Sequence, residues 1–311
     1  MQISGVESRR GVAPDGPGRA NIRGTEAHRI LSPTSGFIAE AGFTHSLTPA
    51  RNCTFGCTYC YVPTLGIYGG LKPEDWRRWG QFTTFKTNAV ELLRRELRPG
   101  QIIYCSPLVD PYQPAEAEQQ MMPEILDAVI DSPPLVFVFQ TRGPLILRDL
   151  DRLRRLAART ILRISFSIPT NREEILRLYE PHCPSFEERL ETVRALRRAG
   201  IETYATLAPL LPCDPERLSR AAIEASGSDL IGDPLHIRAT KPHGATTREA
   251  ALRISNVHGH AAYFDPAFQS SVVETIQRTA AQAGHSFAIG PKGFSRLAAI
   301  PDPCAASPVG G

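Results

Sequence analysis

Short apolar runs alternate with amphipathic segments along most of the chain, from about residue 43 onward. The run LVFVFQT at 135–141 is β-branched and aromatic, which is typical of a buried strand. The segment at 185–200 has apolar residues at helical spacing, a capping box of Ser185 and Glu188, and a terminal glycine. Further strands are predicted at 42–49, 101–106, 160–168, 201–209, 229–237 and 286–290, and further helices at 85–97, 123–132, 147–159, 215–227, 246–256 and 266–284.

Strands and helices that alternate at this spacing predict repeated βαβ units around one parallel sheet. About six units can be counted, fewer than the eight of a closed barrel. Residues 1–35 are rich in Gly, Pro, Ser and Arg without periodicity, so they are predicted to form a mobile tail. We expect one α/β core domain over 36–240 and a C-terminal extension over 241–311 that packs on it.

Composition and charge exclude several classes of protein. Hydrophobic residues make up 42% of the chain and charged residues 22%, which argues against a largely disordered protein. No apolar run approaches the roughly 18 residues that span a bilayer, and the N-terminus lacks the apolar core of a signal peptide. We therefore expect a cytoplasmic protein with no membrane partner. The net charge of +3 is too small to predict a nucleic-acid partner by itself.

Three of the seven cysteines, Cys53, Cys57 and Cys60, lie within eight residues on a loop after the first predicted strand of the core. Thiolates at such spacing bind zinc or iron–sulfur clusters. A structural zinc site usually needs four ligands, often as two separated pairs, whereas the remaining cysteines here are scattered singly. Three thiolates on a four-iron cluster leave one iron without a protein ligand, and that iron is open to a substrate or cofactor.

The CxxxCxxC spacing, with Tyr59 before the last cysteine and the loop after the first core strand, resembles the radical S-adenosylmethionine (SAM) superfamily. The resemblance implies a partial (β/α)6 TIM-like barrel with a C-terminal α/β extension. It also implies a [4Fe–4S] cluster held by Cys53, Cys57 and Cys60, with SAM on the fourth iron. The reduced cluster would cleave SAM to a 5′-deoxyadenosyl radical, and the electron would come from a donor such as flavodoxin or ferredoxin.

A narrower likeness rests on five short segments of the chain, at 52–61, 110–114, 140–142, 165–168 and 208–212. These segments resemble the spore photoproduct lyase-related (SplB-like) radical SAM proteins. By this resemblance the backbone of Tyr59 would lie against adenine, and Ser106 and Ser167 would bind the methionine or ribose part of SAM. Asp110 would bind the SAM ammonium or orient a neighbouring ligand. Arg142 stands where relatives commonly have lysine, and its fork suits the SAM carboxylate.

Cys105 is the candidate catalytic residue, because a cysteine near this strand end returns a hydrogen atom to the product radical in spore photoproduct lyase-like proteins. Its thiol is expected to point into the barrel mouth, although a free cysteine is often a small core residue. The substrate stays open, with a nucleic-acid lesion or a nucleotide as the class that the resemblance suggests. The alternative function is a non-catalytic zinc-binding module that recognises nucleic acid with the arginine-rich segment 147–163.

Overall fold

An eight-stranded open sheet organises the protein, for which the computed structural model describes residues 20–65, 77–239, 241 and 246–301. In the described chain the strands are β1 Asn21–Thr25, β2 Leu31–Pro33, β3 His45–Leu47, β4 Ala50–Arg51, β5 Phe82–Lys86, β6 Ile102–Cys105, β7 Val136–Thr141, β8 Ile161–Ser167, β9 Glu202–Leu210, β10 Leu230–Pro234 and β11 Phe287–Ile289. The main sheet has the order β11-β10-β9-β8-β7-β6-β3-β2, and β1, β5 and β4 form a small second sheet.

Helices connect consecutive strands of the main sheet. Those that the structure describes are α1 Gly36–Glu40, α2 Ala89–Glu96, α3 Glu116–Gln119, α4 Met121–Asp131, α5 Leu150–Ala157, α6 Glu173–Tyr179, α7 Phe186–Arg198, α8 Pro215–Ser226, α9 Glu249–Val257, α10 Pro266–Gln282 and α11 Gly290–Ala298. Short 3₁₀ turns occur at Val62–Thr64, Pro144–Asp149 and Ala261–Phe264. The predicted capping box is confirmed at the start of α7, where Ser185 and Glu188 exchange hydrogen bonds.

The parallel pairing confirms the predicted partial barrel. Strand β3 pairs with β6, and β6 to β10 pair successively, all in parallel. Strand β11, which lies in the predicted C-terminal extension, then continues the sheet beyond β10 as a seventh parallel strand. The edge strands β2 and β11 do not pair with each other among the described residues, and the sheet stays open. The carboxyl ends of six core strands therefore share one rim, where such folds place their chemistry.

The two faces of the sheet bury different layers, because side chains alternate along each strand. Phe137 and Phe139 of β7 pack in the main core with the surrounding helices α2, α4, α5, α7, α8 and α10. Val136 and Val138 point the other way and pack with Tyr104, Phe294 and Leu297. The second layer lies inside the partial barrel, with α11 packed against it. The strand register therefore shows, for each strand residue, whether its side chain points into the barrel or toward the surrounding helices.

Two predicted boundaries are wrong. Residues 21–25 and 31–33 form strands, so the predicted tail over 1–35 does not include them; residues 1–19 lie outside the described residues. The helix predicted over 85–97 begins only at Ala89, because Phe85 and Lys86 belong to β5, which pairs with β1 and β4. In both cases pairing between segments distant in sequence overrides the local pattern.

The arginine-rich segment is not one basic helix face. Arg163 lies in β8, is buried, and contacts Glu202 at 2.9 Å. Four further arginines of the segment form ion pairs. Arg148 pairs with Glu116 at 2.9 Å and with Asp149 at 2.8 Å. Arg152 and Arg155 both pair with Asp127, and Arg154 pairs with Asp151. Acidic partners thus neutralise most of the charge that the alternative function would use against phosphate. No described helix combines the length and apolar character needed to cross a membrane.

Candidate cluster and SAM site

The cysteine loop leaves β4 at the rim formed by the carboxyl ends of the core strands. Asn52 enters the loop with a positive φ of 65°, and Gly56 follows with φ 64°. Both angles are in the left-handed region, which lets the chain reverse tightly between Cys53 and Cys57. Phe55, Cys57 and Tyr59 point down into a small apolar cluster with Tyr179 and Leu211. Cys53 and Cys60 pack against the same cluster, so the loop is a packed element of the protein.

Backbone hydrogen bonds attach this loop to two neighbouring segments. The Thr58 N–H donates to the carbonyl of Tyr179, the last residue of α6, at 2.9 Å. On the other side the Gln113 side-chain oxygen accepts from the Thr54 N–H at 2.8 Å and from its hydroxyl at 3.1 Å. Gln113 belongs to the segment 110–114, which follows β6. These contacts fix the spacing of the thiols before any metal binds.

The thiols themselves are held in surroundings that favour a bound metal over a free thiolate. Burial, followed by the nearby Asp110 and Cys57, raises the pKa of Cys53 well above its usual value. Burial and Cys57 raise the pKa of Cys60 to about 12. A hydrogen bond from Cys183 lowers the pKa of Cys57, and Arg142 lowers it further against the effect of burial. Cys57 is buried and Cys53 and Cys60 are half-buried, and thiols in such surroundings suit a cation that replaces their protons.

A buried ionic network lies directly under Cys57. The Glu180 side chain is 0% exposed and accepts hydrogen bonds from Tyr59, Arg142 and Arg189. Nη1 of Arg142 lies 2.5 Å from the Tyr59 hydroxyl oxygen and 3.4 Å from Cys57 Sγ. Burial raises the pKa of Glu180, but the two arginines and Tyr59 outweigh it, so the pKa lies below its usual value. Glu180 is therefore a carboxylate at neutral pH.

Asp110 follows β6, and its side chain bonds to the residues at the end of β7 at the same rim. Its carboxylate accepts from the Tyr112 N–H at 2.9 Å, the Thr141 hydroxyl at 2.6 Å and the Arg142 N–H at 2.8 Å. Nε of Arg142 is 3.8 Å from the same carboxylate. Burial raises the Asp110 pKa while Arg142 and these donors lower it, and the balance is a raised pKa. Asp110 orients the backbone and side chain of Arg142 toward the cysteine loop.

The predicted serines lie at strand ends near this network. Ser106 follows β6 and is buried, and its hydroxyl has no hydrogen-bond partner among the described residues. The side-chain oxygen of Asn52, directly before Cys53, is also buried without a partner there. Ser167 ends β8 and donates to the Ala208 carbonyl at 3.4 Å. In the described part of the chain, an unpartnered oxygen next to Cys53 and another at the end of β6 fit a site that receives an iron–sulfur cluster and a polar ligand such as SAM.

Cys105 does not point into the barrel. It pairs in register with Phe139, and both side chains lie in the main core on the helix-facing side, with Cys105 0% exposed. Its neighbour Tyr104 is the residue that faces the interior. The expectation that the thiol lines the barrel mouth is therefore wrong, because alternation along β6 places position 105 outward. Its pKa is raised by burial and by the nearby Asp110, so the sulfur carries its proton.

Three residues of the site were not predicted from the sequence: Glu180, Cys183 and Arg189. They come from the end of α6, the following loop and α7. Glu180 and Cys183 meet Cys57 across more than 120 positions of sequence, and Arg189 bonds to Glu180. One signal was available, because Arg189 occupies the apolar face of α7 between Phe186 and Val193, where a charge needs a buried partner. Cys183 carries no local signal, since only the fold brings it beside Cys57.

Comparison with known proteins agrees with this geometry. The model of the radical SAM superfamily matches residues 47–217, more than half of the chain. A protein of Mycobacterium tuberculosis is 29% identical over 212 residues, which cover 64% of this chain and 61% of the relative. A protein of Methanocaldococcus jannaschii is 26% identical over 187 residues, or 60% of this chain and 66% of the relative. The matched part thus spans less than two thirds of these relatives.

Solved structures resemble the whole fold. A spore photoproduct lyase mutant with bound AdoMet and dinucleoside spore photoproduct superposes with a TM-score of 0.57 at 14% identity, covering 86% of this chain and 80% of that one. Spore photoproduct lyase complexed with the dinucleoside spore photoproduct gives 0.58 at 16% identity, covering 86% and 81%. At 14% and 16% sequence identity, this similarity concerns the fold alone. The family match, which covers the cysteine loop and more than half of the chain, shows that this protein belongs to the radical SAM superfamily.

Proposed function

We propose that this protein is an enzyme that binds a [4Fe–4S] cluster through Cys53, Cys57 and Cys60 and binds SAM beside it. The observation that carries the proposal is the packed loop with three thiols at the carboxyl rim of a partial barrel, flanked by unpartnered polar atoms of Asn52 and Ser106. When reduced, such a cluster supplies an electron that cleaves SAM to a 5′-deoxyadenosyl radical. An electron donor such as flavodoxin or ferredoxin is the partner this chemistry requires.

The protein's own residues would bind and orient the cofactor. Asn52 and Gly56 turn the loop that carries the three thiols, and Gln113 holds this loop from the β6 side. Ser106 and Ser167 would donate to the polar part of SAM. Tyr59 is anchored by its hydroxyl to Arg142, so its backbone is held where an adenine edge would bind. Asp110 is occupied by three donors, which favours its orienting role over binding of the ammonium directly.

Arg142 is proposed to face both the cluster and the SAM carboxylate. Its side chain is 16% exposed, and its fork presents several N–H groups in fixed directions. Nη1 is engaged with Cys57, Tyr59 and Glu180, while Nε faces Asp110. A SAM carboxylate would therefore approach the guanidinium from the rim, as an additional partner of a cation already fixed in place. The substrate is proposed to be a nucleic-acid lesion or a nucleotide, on the likeness in fold to spore photoproduct lyase alone.

The test uses anaerobically purified and reconstituted protein. We expect a brown protein with about four iron and four sulfide per chain, as one [4Fe–4S] cluster requires, whose colour bleaches with dithionite. Mass spectrometry should detect 5′-deoxyadenosine formed from SAM by the reduced protein. Replacing Cys53, Cys57 or Cys60 singly by Ala should abolish both iron binding and 5′-deoxyadenosine formation, whereas Cys213→Ala should retain both. A colourless wild type with stoichiometric zinc would support the zinc-binding alternative.

A further inference from the structure

Cys183 is a fourth thiol at the cluster loop, contributed from the opposite side of the site. It lies in the loop between α6 and α7, and its Sγ is 3.8 Å from Cys57 Sγ. Its backbone N–H donates to the Glu180 carbonyl at 3.0 Å, which closes a turn and fixes the thiol relative to Glu180. The backbone of this turn therefore places the Cys183 thiol next to the Cys57 sulfur.

Two hydrogen-bond donors and one carboxylate oxygen, Glu180 Oε1 at 4.0 Å, lie around the Cys57 sulfur. A Cys57 that binds iron is a thiolate and can only accept hydrogen bonds. The Arg142 Nη1–H lies 3.4 Å from it and the Cys183 S–H 3.8 Å. The Cys183 thiol also lies 3.9 Å from the Phe55 carbonyl, but a charged sulfur is the stronger acceptor. Both donors would thus be directed at one ligand of the cluster.

The ionic groups under the site do not supply an excess of positive charge. Arg142 and Arg189 face Glu180, and Arg142 also faces Asp110, so two cations meet two carboxylates. Hydrogen bonds to the sulfurs are a second means by which proteins set cluster potentials, besides net charge and solvent exposure. Around Cys57 the hydrogen bonds are therefore the feature through which the protein can favour one redox state.

A metal held by Cys183 itself is the competing interpretation. Ligand atoms of Cys57, Glu180 and Cys183 lie within 4.8 Å of one another. The Glu180 carboxylate, however, already accepts from Tyr59, Arg142 and Arg189, and it would have to lose these partners to bind a cation. Binding a cation there would take from the buried Arg189 its carboxylate partner and leave Arg142 with Asp110 alone, which is costly. The group is better suited to hold a hydrogen-bond donor than a second metal.

We propose that Cys183 is a positioning residue that donates an S–H···S hydrogen bond to Cys57, with Arg142 as the second donor, and so raises the reduction potential of the cluster. The inference rests on the proposed function, since it concerns the cluster bound at the cysteine loop. Reduction adds negative charge to the cluster and its sulfurs, and a hydrogen bond to a more negative acceptor is stronger. The donors therefore stabilise the reduced state more than the oxidised state.

The experiment is a redox titration of the reconstituted protein followed by electron paramagnetic resonance of the reduced cluster. Cys183→Ala removes the donor, Cys183→Ser keeps one, and Cys213→Ala is the control, because Cys213 is a buried cysteine in contact with Tyr263. At a fixed potential we expect Cys183→Ala to lower the ratio of reduced to oxidised cluster about three-fold, or roughly 30 mV at 59 mV per tenfold change. Cys183→Ser should lie between this variant and the wild type, and iron and sulfide contents should not change.

The outcomes separate this inference from the proposed function. A Cys183→Ala protein with full iron and a wild-type potential would overturn the donor role and leave the cluster assignment intact. Loss of iron from Cys183→Ala but not from Cys183→Ser would make Cys183 a structural requirement, and loss from both would make it a ligand; either result overturns the donor role. A wild type that binds no iron would overturn both proposals together. Circular dichroism of each variant checks that it folds.

Discussion

Gly56 and Gly80 pack backbone against backbone beneath the cysteine loop. A Cβ on Gly56 would lie 3.0 Å from the Gly80 Cα, and a Cβ on Gly80 would lie 2.8 Å from the Gly56 Cα. Both residues have positive φ, 64° and 95°. The pair brings the segment that leads into β5 directly under the loop, with the His182 ring also close to Gly56. The position of the three thiols thus depends on two residues that carry no side chain.

Replacing Gly56 by Ala should destabilise the protein and weaken cluster binding. The left-handed conformation costs a non-glycine residue about 1–2 kcal/mol, and the contact with Gly80 adds overpacking of about 1–3 kcal/mol. We expect a lowered midpoint in denaturant unfolding and less iron retained after reconstitution. Gly100→Ala is the matched control, since a Cβ there would meet no atom within 4 Å and its φ is not positive. Equal stability of the two variants would contradict the packing argument.

Most strands and helices of the main sheet could be predicted, because each is indicated by the pattern of apolar residues within its own segment. The strands predicted around Phe137, Ile164 and Tyr204 are present, and the capping box places the start of α7 at the expected residue. Strand β5 was missed because its residues read equally well as the start of a helix, and only pairing with β1 and β4 decides between the two.

The candidate site likewise has a part that the sequence predicts and a part that depends on the fold. Cysteine spacing indicates the cluster loop, because all three ligands lie on one short segment. Glu180, Cys183 and Arg189 could not be found in this way. Glu180 contacts Cys57, Tyr59 and Arg142, and Cys183 contacts Cys57, only in the folded protein. Arg189 is linked to the site through Glu180. The orientation of Cys105 needed the register of β6 against β7. Contacts between segments that are distant in the sequence are the part of the site that could not be predicted.

Replacing Glu180 by Gln should lower stability in a pH-dependent manner. Burial raises the Glu180 pKa, but Arg142, Arg189 and Tyr59 lower it more, so the folded pKa lies below the unfolded value of about 4.3. A depressed carboxyl pKa contributes stability above the unfolded pKa, and this is lost as pH falls through the folded pKa. We expect a deficit of roughly 3 kcal/mol in unfolding free energy at pH 7 for Glu180→Gln, because the buried Arg189 loses its carboxylate partner and Arg142 keeps only Asp110.

The deficit should shrink as pH falls below about 4, where the wild-type carboxyl also becomes neutral. Urea unfolding of the cluster-free proteins at several pH values measures it. Glu224→Gln is the control, because its contact with Arg194 is 3.9 Å long and the Glu224 side chain is 76% exposed. A deficit that stayed constant from pH 7 to pH 3 would mean that Glu180 contributes by packing alone.

Arg142→Ala should weaken SAM binding while the cluster still assembles. The guanidinium is fixed by Glu180 and Asp110 at the rim, and loss of one partner of a buried charge pair commonly costs about 2–5 kcal/mol, which corresponds to a Kd increase of at least about 30-fold. Equilibrium binding of SAM to the oxidised, iron-loaded protein measures the change. Arg152→Ala is the control, since Arg152 pairs with Asp127 at the surface. Unchanged SAM affinity would limit Arg142 to its contacts with Cys57, Tyr59 and Glu180.

Cys105 provides the strongest test of how far the resemblance to spore photoproduct lyase-like proteins extends. The resemblance assigns it the hydrogen atom that quenches the product radical, and its raised pKa keeps that hydrogen on the sulfur. The structure nevertheless packs the thiol beside Phe139, in the layer covered by helices. A substrate radical inside the barrel would have to reach across β6 to meet it. The packing therefore favours a structural role for this cysteine.

We expect Cys105→Ala to lose about 1–2 kcal/mol of stability through the small cavity that it leaves, and to cleave SAM as the wild type does. With a competent substrate, assayed anaerobically, its products should match those of the wild type in identity and rate. Cys105→Ser separates volume from chemistry, because a hydroxyl fills the space but its O–H bond is too strong to serve as a hydrogen-atom donor. If both variants cleave SAM yet accumulate side products or trapped radicals, Cys105 is the donor, and the thiol must become accessible when substrate binds.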